Sequence, residues 1–254
     1  MKITFLGTGT SQGVPVIACT CEVCKSLDYR NKRLRVSVHI QYGSTSVIID
    51  AGPDFRQQVL RESINSLDAI LITHEHKDHT AGLDDIRAFN FKQGKSMPIF
   101  ASIEVQQQLK KEFGYVFSEK KYPGIPQMDL IQIIENQSFK VNNLLIEPIL
   151  VLHHRLKVFG FRIGDFTYIT DANYISEEEI NKIKGSKIVV INALQKSAHI
   201  SHFTLDEAIV MIQKINPERA YLTHISHKLG LHAEVEKEMP SNIYLAFDGL
   251  SLTL

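Results

Sequence analysis

An excess of charge of either sign is missing from this sequence: 28 Lys and Arg offset 28 Asp and Glu. Proteins that dock on a nucleic-acid backbone or an anionic membrane surface usually carry a basic surplus, so only a local patch could serve that purpose here. Hydrophobic runs long enough to span a bilayer are also missing. The opening Met1-Lys2-Ile3-Thr4-Phe5-Leu6 breaks at Gly7, too early to supply the apolar segment of a secretory signal. The expectation is a cytoplasmic protein without a membrane partner. Cysteine is scarce, with three in 254 residues. In a reducing compartment these read as ligands or buried thiols before disulfides. Low-complexity tracts are absent, and 44% apolar with 22% charged residues describes an ordinary globular chain. Its length allows one large α/β domain or two small ones, either burying roughly three quarters of the unfolded surface.

What the chain does have is histidine, concentrated in Thr73-His74-Glu75-His76-Lys77-Asp78-His79-Thr80 directly after the apolar run Ala69-Ile70-Leu71-Ile72. If that run is a buried strand, His74 and His76 lie two apart at its end and project to one side, within reach of a single cation. Asp78 and His79 follow in the turn and can meet a second cation beside the first, the arrangement two-metal hydrolysis needs. Imidazole is the commonest metal ligand, and packing does not explain this density.

Other stretches read more plainly. Lys2–Leu6 is strand-like, and Gly7-Thr8-Gly9-Thr10-Ser11-Gln12-Gly13 is a loop of small residues whose glycine spacing does not fit a dinucleotide fingerprint. Cys19-Thr20-Cys21-Glu22-Val23-Cys24 allows three thiolates to converge on one tetrahedral ion, with His227 a candidate fourth ligand. The β-rich runs on either side of Tyr42-Gly43-Ser44-Thr45 read as a hairpin ending at Asp50-Ala51-Gly52. Ser102 caps an expected helix through Lys111, and the stretch from Phe113 to Pro126 reads as an irregular, lid-like loop. Further strands end at His153-His154, at Asp171, and before His224-Ile225-Ser226-His227. His199 and His202 lie in a loop ahead of a helix from Leu205 to Lys214, and for Arg56 and Arg87 a solvated surface role is the default.

The H-x-H-x-D-H motif, the Gly-Thr-Gly loop, Asp50-Ala51-Gly52, the C-x-C-x2-C cluster and the late His-Ile-Ser-His together resemble the metallo-β-lactamase superfamily, in particular its PhnP-like phosphodiesterases. The likeness extends over essentially the whole chain. It implies a single domain over residues 1–254 with an α/β fold, a four-layer αβ/βα sandwich. It implies one divalent metal at His74, His76, His154 and Asp171, and a second at Asp78, His79, His224 and the shared Asp171. Aligning on Phe159-Gly160 selects His154 over His153 as the third metal-binding histidine. Asp50 would orient ligands from beneath. His202 would face substrate phosphate and donate to a developing oxyanion. A structural zinc would sit at Cys19, Cys21, Cys24 and His227.

The function implied is a binuclear metal-dependent phosphodiesterase, using zinc or manganese. It would open a cyclic phosphate such as phosphoribosyl 1,2-cyclic phosphate by hydroxide attack, with Asp78 and His202 among its catalytic residues. Its partner is a small-molecule phosphodiester rather than nucleic acid, and relatives suggest a homodimer. The alternatives are a tRNA 3′-processing-type endonuclease and a non-catalytic biosynthetic relative, because the fold and ligands serve several chemistries.

Overall fold

A computed structural model describes residues 1–119 and 122–254. In the first sheet β1 (Lys2–Gly7), β2 (Ser37–Tyr42), β3 (Thr45–Ile49), β4 (Ala69–Leu71), β5 (Met97–Ala101) and β6 (Met128–Gln132) lie side by side in that order. A last strand, Ser251–Thr253, pairs with the outer edge of β1. The second sheet is built from β7 (Phe139–Val141), β8 (Leu144–His153), β9 (Leu156–Ile163), β10 (Phe166–Tyr168), β11 (Tyr174–Ile175), β12 (Ile188–Asn192), β13 (Arg219–Thr223) and β14 (Ile243–Leu245). Its spatial order is β11-β8-β9-β10-β12-β13-β14, with β7 against β8.

Each half starts with antiparallel strands and continues with parallel ones; tight turns join β2 to β3 and β8 to β9, whereas a long segment, residues 8–36, links β1 to β2. Parallel neighbours need a crossover, and helices supply it. Phe55–Arg61, Arg87–Gln93 and Ile103–Glu112 serve the first half, and Glu177–Ile183, Leu205–Ile215 and His232–Lys237 the second.

The strand period of two divides the apolar residues between two faces. Val47 and Ile49 point between the sheets, where they meet Phe161, Phe166, Tyr168 and Val190. Ile48 points outward, beneath Phe55, Val105 and Leu109 of the covering helices. In β12 the same alternation sends Ile188 and Val190 inward and Val189 and Ile191 outward, under Ile180, Ala208 and Ile212. Strands covered on both faces must be apolar at nearly every position, which is why β3, β4 and β12 read as continuous hydrophobic runs. The result is the αβ/βα sandwich the resemblance implied. Among the described residues no helix is long and apolar enough to cross a membrane.

The chain leaves β3, β4, β10, β12 and β13 at one common edge of the sandwich, where crevices beyond the strands' carboxyl ends receive ligands. Backbone hydrogen bonds continue past the strand ends there: Asp50 N to Leu71 O at 2.9 Å, Ile72 N to Phe100 O at 2.8 Å, and Ala193 N to Thr223 O at 2.9 Å. Phe159 N donates to Thr73 O at 3.0 Å and ties the second sheet to the histidine loop of the first. Part of the stretch read as an irregular lid is regular, since Gly114–Phe117 forms a helical turn. Lys120 and Lys121 of that stretch lie outside the described residues.

Candidate metal centre

The histidine loop leaves β4 and turns at once into a short helix, Lys77–Thr80. Two glycines allow it to lie against the turn after β3. A Cβ on Gly52 would stand 1.9 Å from the carbonyl oxygen of Asp78, and one on Gly82 would stand 2.1 Å from the oxygen of Gly52. With only hydrogens there, Ala51 N donates to His79 O at 2.8 Å and Gly82 N to Ala51 O at 2.9 Å.

Three side chains at the mouth hang from residues in the left-handed region: Asp50 at φ 62°, Asp171 at 55° and His224 at 55°. None is glycine, so each is a strained position of the kind that clusters at functional sites.

Asp50 is fully buried beneath the loop, where its carboxylate accepts from Thr73 N at 2.9 Å, Thr73 Oγ1 at 3.0 Å and His79 Nδ1 at 2.7 Å. With Nδ1 engaged, His79 presents Nε2 to the site. That nitrogen is buried and makes no hydrogen bond, although Asp78 Oδ2 is 3.2 Å and Asp171 Oδ2 3.4 Å away. An orphaned ring nitrogen between two carboxylates fits a cation, so the donor set suits a metal ion. Burial by itself lowers the His79 pKa, but Asp50, Asp171 and Asp78 outweigh it and hold it well above the usual imidazole range. The carboxylates demand positive charge at this point, as a proton or as a metal ion.

Around His79 the remaining groups form two sets that meet at Asp171. On one side the rings of His74 and His76 lie 4.5 Å apart, with His74 Nε2 2.9 Å from His76 Nδ1. His153 closes this set, its ring 5.8 Å from His74 and 5.3 Å from His76. On the other side His224 Nδ1 approaches Asp171 Oδ2 at 3.0 Å, and its ring is parallel to that of His79 at 6.1 Å. His202 enters from the loop after β12, with Nε2 3.1 Å from Asp171 Oδ1.

Burial raises carboxylate pKa values, yet His224 and His79 prevail and hold Asp171 well below its ordinary range. Burial also lowers His202 to about 4 against the pull of Asp171, and it pushes His74 well below the usual value, with His79 adding to the effect. Neutral imidazoles at His74 and His202 facing an ionised Asp171 are protonation states that metal binding requires, and at His79 a metal ion would take the place of the proton.

One expected ligand is corrected. His154 is exposed at the two-residue turn between β8 and β9, with φ 57°, and only its backbone N–H is engaged, by Asn173 Oδ1 at 2.8 Å. His153 is the histidine that reaches the cluster. The physical reason is strand parity: Ile149 and Val151 pack on one face of β8, and the period of two carries His153 to that side while the turn sends His154 away. His153 Nδ1 donates to Ser201 O at 2.8 Å, which leaves Nε2 as the free lone pair. The other expected positions, His74, His76, Asp78, His79, Asp171, His202 and His224, come together at the site. Sequence reasoning missed the supporting contacts of Thr73, Asn173 and Ser201, because hydroxyls, amides and carbonyls have no distinctive spacing.

The cysteine cluster also closes in space. His227 Nδ1 lies 3.2, 3.4 and 3.6 Å from the Sγ atoms of Cys19, Cys21 and Cys24. The Cys24 backbone N–H, followed by His227, lowers the Cys21 thiol to about 6, while burial pushes Cys24 up to about 11. Three sulfurs and one imidazole within 4.8 Å of one another suit tetrahedral zinc. Only Ile225 and Ser226 separate His227 from His224, so this cluster braces the wall of the larger site.

The Beta-lactamase superfamily domain model matches residues 45–225. The crystal structure of a diphosphatase from the PhnP family superposes with a TM-score of 0.93 at 37% identity, covering 100% of this chain and 97% of that one. An octanoyltransferase of Porphyromonas gingivalis is 38% identical over 252 residues, 98% of this chain and 51% of that protein. A ribonuclease Z of Staphylococcus epidermidis is 27% identical over 169 residues, 64% of this chain and 49% of the enzyme. The chain thus spans about half the length of the curated relatives it matches. With the sandwich, the histidine loop and Asp171 in place, the chain belongs to the β-lactamase superfamily and, within it, to the PhnP family.

Proposed function

We propose that this chain is a metal-dependent phosphodiesterase that opens a small cyclic phosphate, with phosphoribosyl 1,2-cyclic phosphate as the leading candidate. The observation that supports this best is the meeting of two donor sets at one buried aspartate, Asp171, with an orphaned histidine nitrogen beside it. His74, His76, His153 and Asp171 would hold one cation, and Asp78, His79, His224 and Asp171 the other. Two divalent cations supply Lewis-acid neutralisation of phosphoryl charge and an acidified water. The protein's part is to hold these side chains still. Asp50 fixes the His79 ring through Nδ1, Ser201 O does the same for His153, and His202 directs Nε2 to the edge of the site. From there His202 would donate a hydrogen bond from Nε2–H to the departing oxygen, which would take its proton from solvent water.

A second reading follows from the PhnP-family relative named as a diphosphatase. A phosphoanhydride has the same phosphoryl centre and would use the same groups. Acyl transfer is not carried over from the octanoyltransferase, since the chain matches only about half of that protein.

The test is hydrolysis by zinc- or manganese-loaded protein of a 1,2-cyclic ribose phosphate, a 2′,3′-cyclic nucleotide, a linear diester and a diphosphate, with Asp171→Ala as control. Preference for the 1,2-cyclic sugar, lost in the variant, is the expected result. Preference for the diphosphate selects the second reading, and inactivity on all four despite full metal loading rejects both.

A further inference from the structure

The helices Phe55–Arg61 and Arg87–Gln93 cover the outside of the first sheet, and a groove of roughly 340 Å³ lies between them. Phe55 and Phe89 form its buried floor, their rings edge-on at 6.5 Å. Val59, Leu60 and Ile64 form one wall. The end of the first helix builds that wall: Ser63 takes the left-handed region at φ 52°, Ser63 N donates to Leu60 O at 3.2 Å, and Ile64 N donates to Val59 O at 3.1 Å. This C-terminal motif folds Ile64 back onto Val59. Leu60 stays 61% exposed at the rim.

Charge is distributed unevenly along the groove. Lys92, in the last turn of the second helix, stands beside Asn65, whose Oδ1 accepts from Lys92 Nζ at 3.3 Å while its Nδ2 donates to Ser63 O at 2.8 Å. Among the described residues no carboxylate pairs with Lys92, so a neutral partner holds the ammonium at this end and leaves its charge uncompensated. Arg56 in the first turn of one helix and Asp85 just ahead of the other lie at the opposite end. Asp85 offsets Arg56 there, whereas nothing offsets Lys92.

We propose that this groove binds a medium-chain fatty acid, with its carboxylate on Lys92 and its alkyl tail along Ile64, Leu60 and Val59, over Phe55 and Phe89. Each helix has seven residues, so the apolar strip is about 10 Å long. Such a strip with one uncompensated cation at its end is complementary to an unbranched tail carrying a single negative charge. Two helical turns are too small a surface for a stable protein interface, which takes about 800 Å² on each side. None of these residues belongs to either donor set, and the site stands whatever reaction the metal centre performs.

The experiment is titration of zinc-loaded protein with sodium octanoate, read by calorimetry and by the methyl resonances of labelled valine, leucine and isoleucine. One equivalent is expected to bind, shifting Val59, Leu60 and Ile64. Affinity should rise by up to about fourfold per methylene from butanoate to octanoate, the worth of burying one such group. Octanamide, with the same tail and no charge, is expected to bind about tenfold more weakly. Lys92→Met keeps the stem and loses the charge, and is expected to abolish that preference, while Leu60→Ser weakens both ligands. Both side chains are exposed, so neither variant endangers the fold. Absence of saturable binding, equal affinity for octanoate and octanamide in the native chain, or a preference that survives Lys92→Met overturns the proposal. Shifts confined to the histidine loop, as from a carboxylate held on the metals, do the same.

Discussion

A single side-chain direction separates His153 from His154. They are adjacent and chemically identical, but one continues the alternation of β8 into the cluster and the other occupies the exposed turn. Replacing His153 by Ala should remove a donor from the first cation set and lower turnover by about 100-fold or more, since even outer contacts of metal ligands cost 10–100-fold. His154→Ala should leave turnover within about threefold, as expected of an exposed side chain away from the site. Metal content and kcat of the two variants check this, and the reverse order would put the His154 register back. The same scale explains Asp50. Its carboxylate is engaged by Thr73 and His79, while Asp54 at the start of the next helix pairs with Arg35 at 3.1 Å.

Among the elements, the hairpin β2–β3 holds a histidine that the site does not use. His39 Nε2 donates to Ser46 Oγ at 2.9 Å, and Ser46 Oγ passes its own hydrogen to Ser66 O at 2.8 Å. Burial, helped by Lys2, depresses the His39 pKa from 6.5 to about 4. The unfolded chain therefore takes up this proton before the folded one does. The corresponding stability is present above about pH 6.5 and is lost progressively as pH falls to about 4. It amounts to about 3 kcal/mol, since a tenfold difference in proton affinity between the two states is worth about 1.36 kcal/mol. Urea midpoints measured at pH 7 and pH 5 should fall more steeply for the native chain than for His39→Gln. Equal falls would show that the imidazole titrates alike in both states. The hairpin itself was readable from its turn residues. Its buried histidine was not, because partners such as Ser46 and Ser66 become neighbours only when the strands and the following turn come together.

Across the molecule as a whole, both donor clusters join distant parts of the chain. Cys19, Cys21 and Cys24 meet His227 across about two hundred residues, and the Gly-Thr-Gly loop reaches the same region, with Thr10 N donating to Ile225 O at 3.2 Å. Asp248 supports that loop from beneath, accepting from Thr8 Oγ1 and Leu34 N, both at 2.7 Å. Cys21→Ser should therefore reduce bound zinc by about one equivalent per chain and make the segment around Arg30 and Lys32 more sensitive to trypsin, since a structural zinc contributes directly to local folding. Unchanged zinc content together with unchanged proteolysis would show that the thiols hold the loop by packing alone.

Local pattern along the chain marked the strands and the histidine loop, and the family resemblance supplied the layers and the remaining candidate ligands. A period of two in apolar strands places residues on faces whatever the surroundings, and a dense H-x-H-x-D-H run converges because its members share one turn. The cysteine spacing likewise allowed three thiolates to converge on one ion. Distance through space, which only the folded chain defines, settled the rest: that His153 and not His154 enters the site, that Asp50 reaches His79, and that His199 meets His202. Each of these rests on a turn conformation or a contact between separate segments, and local spacing places no constraint on either.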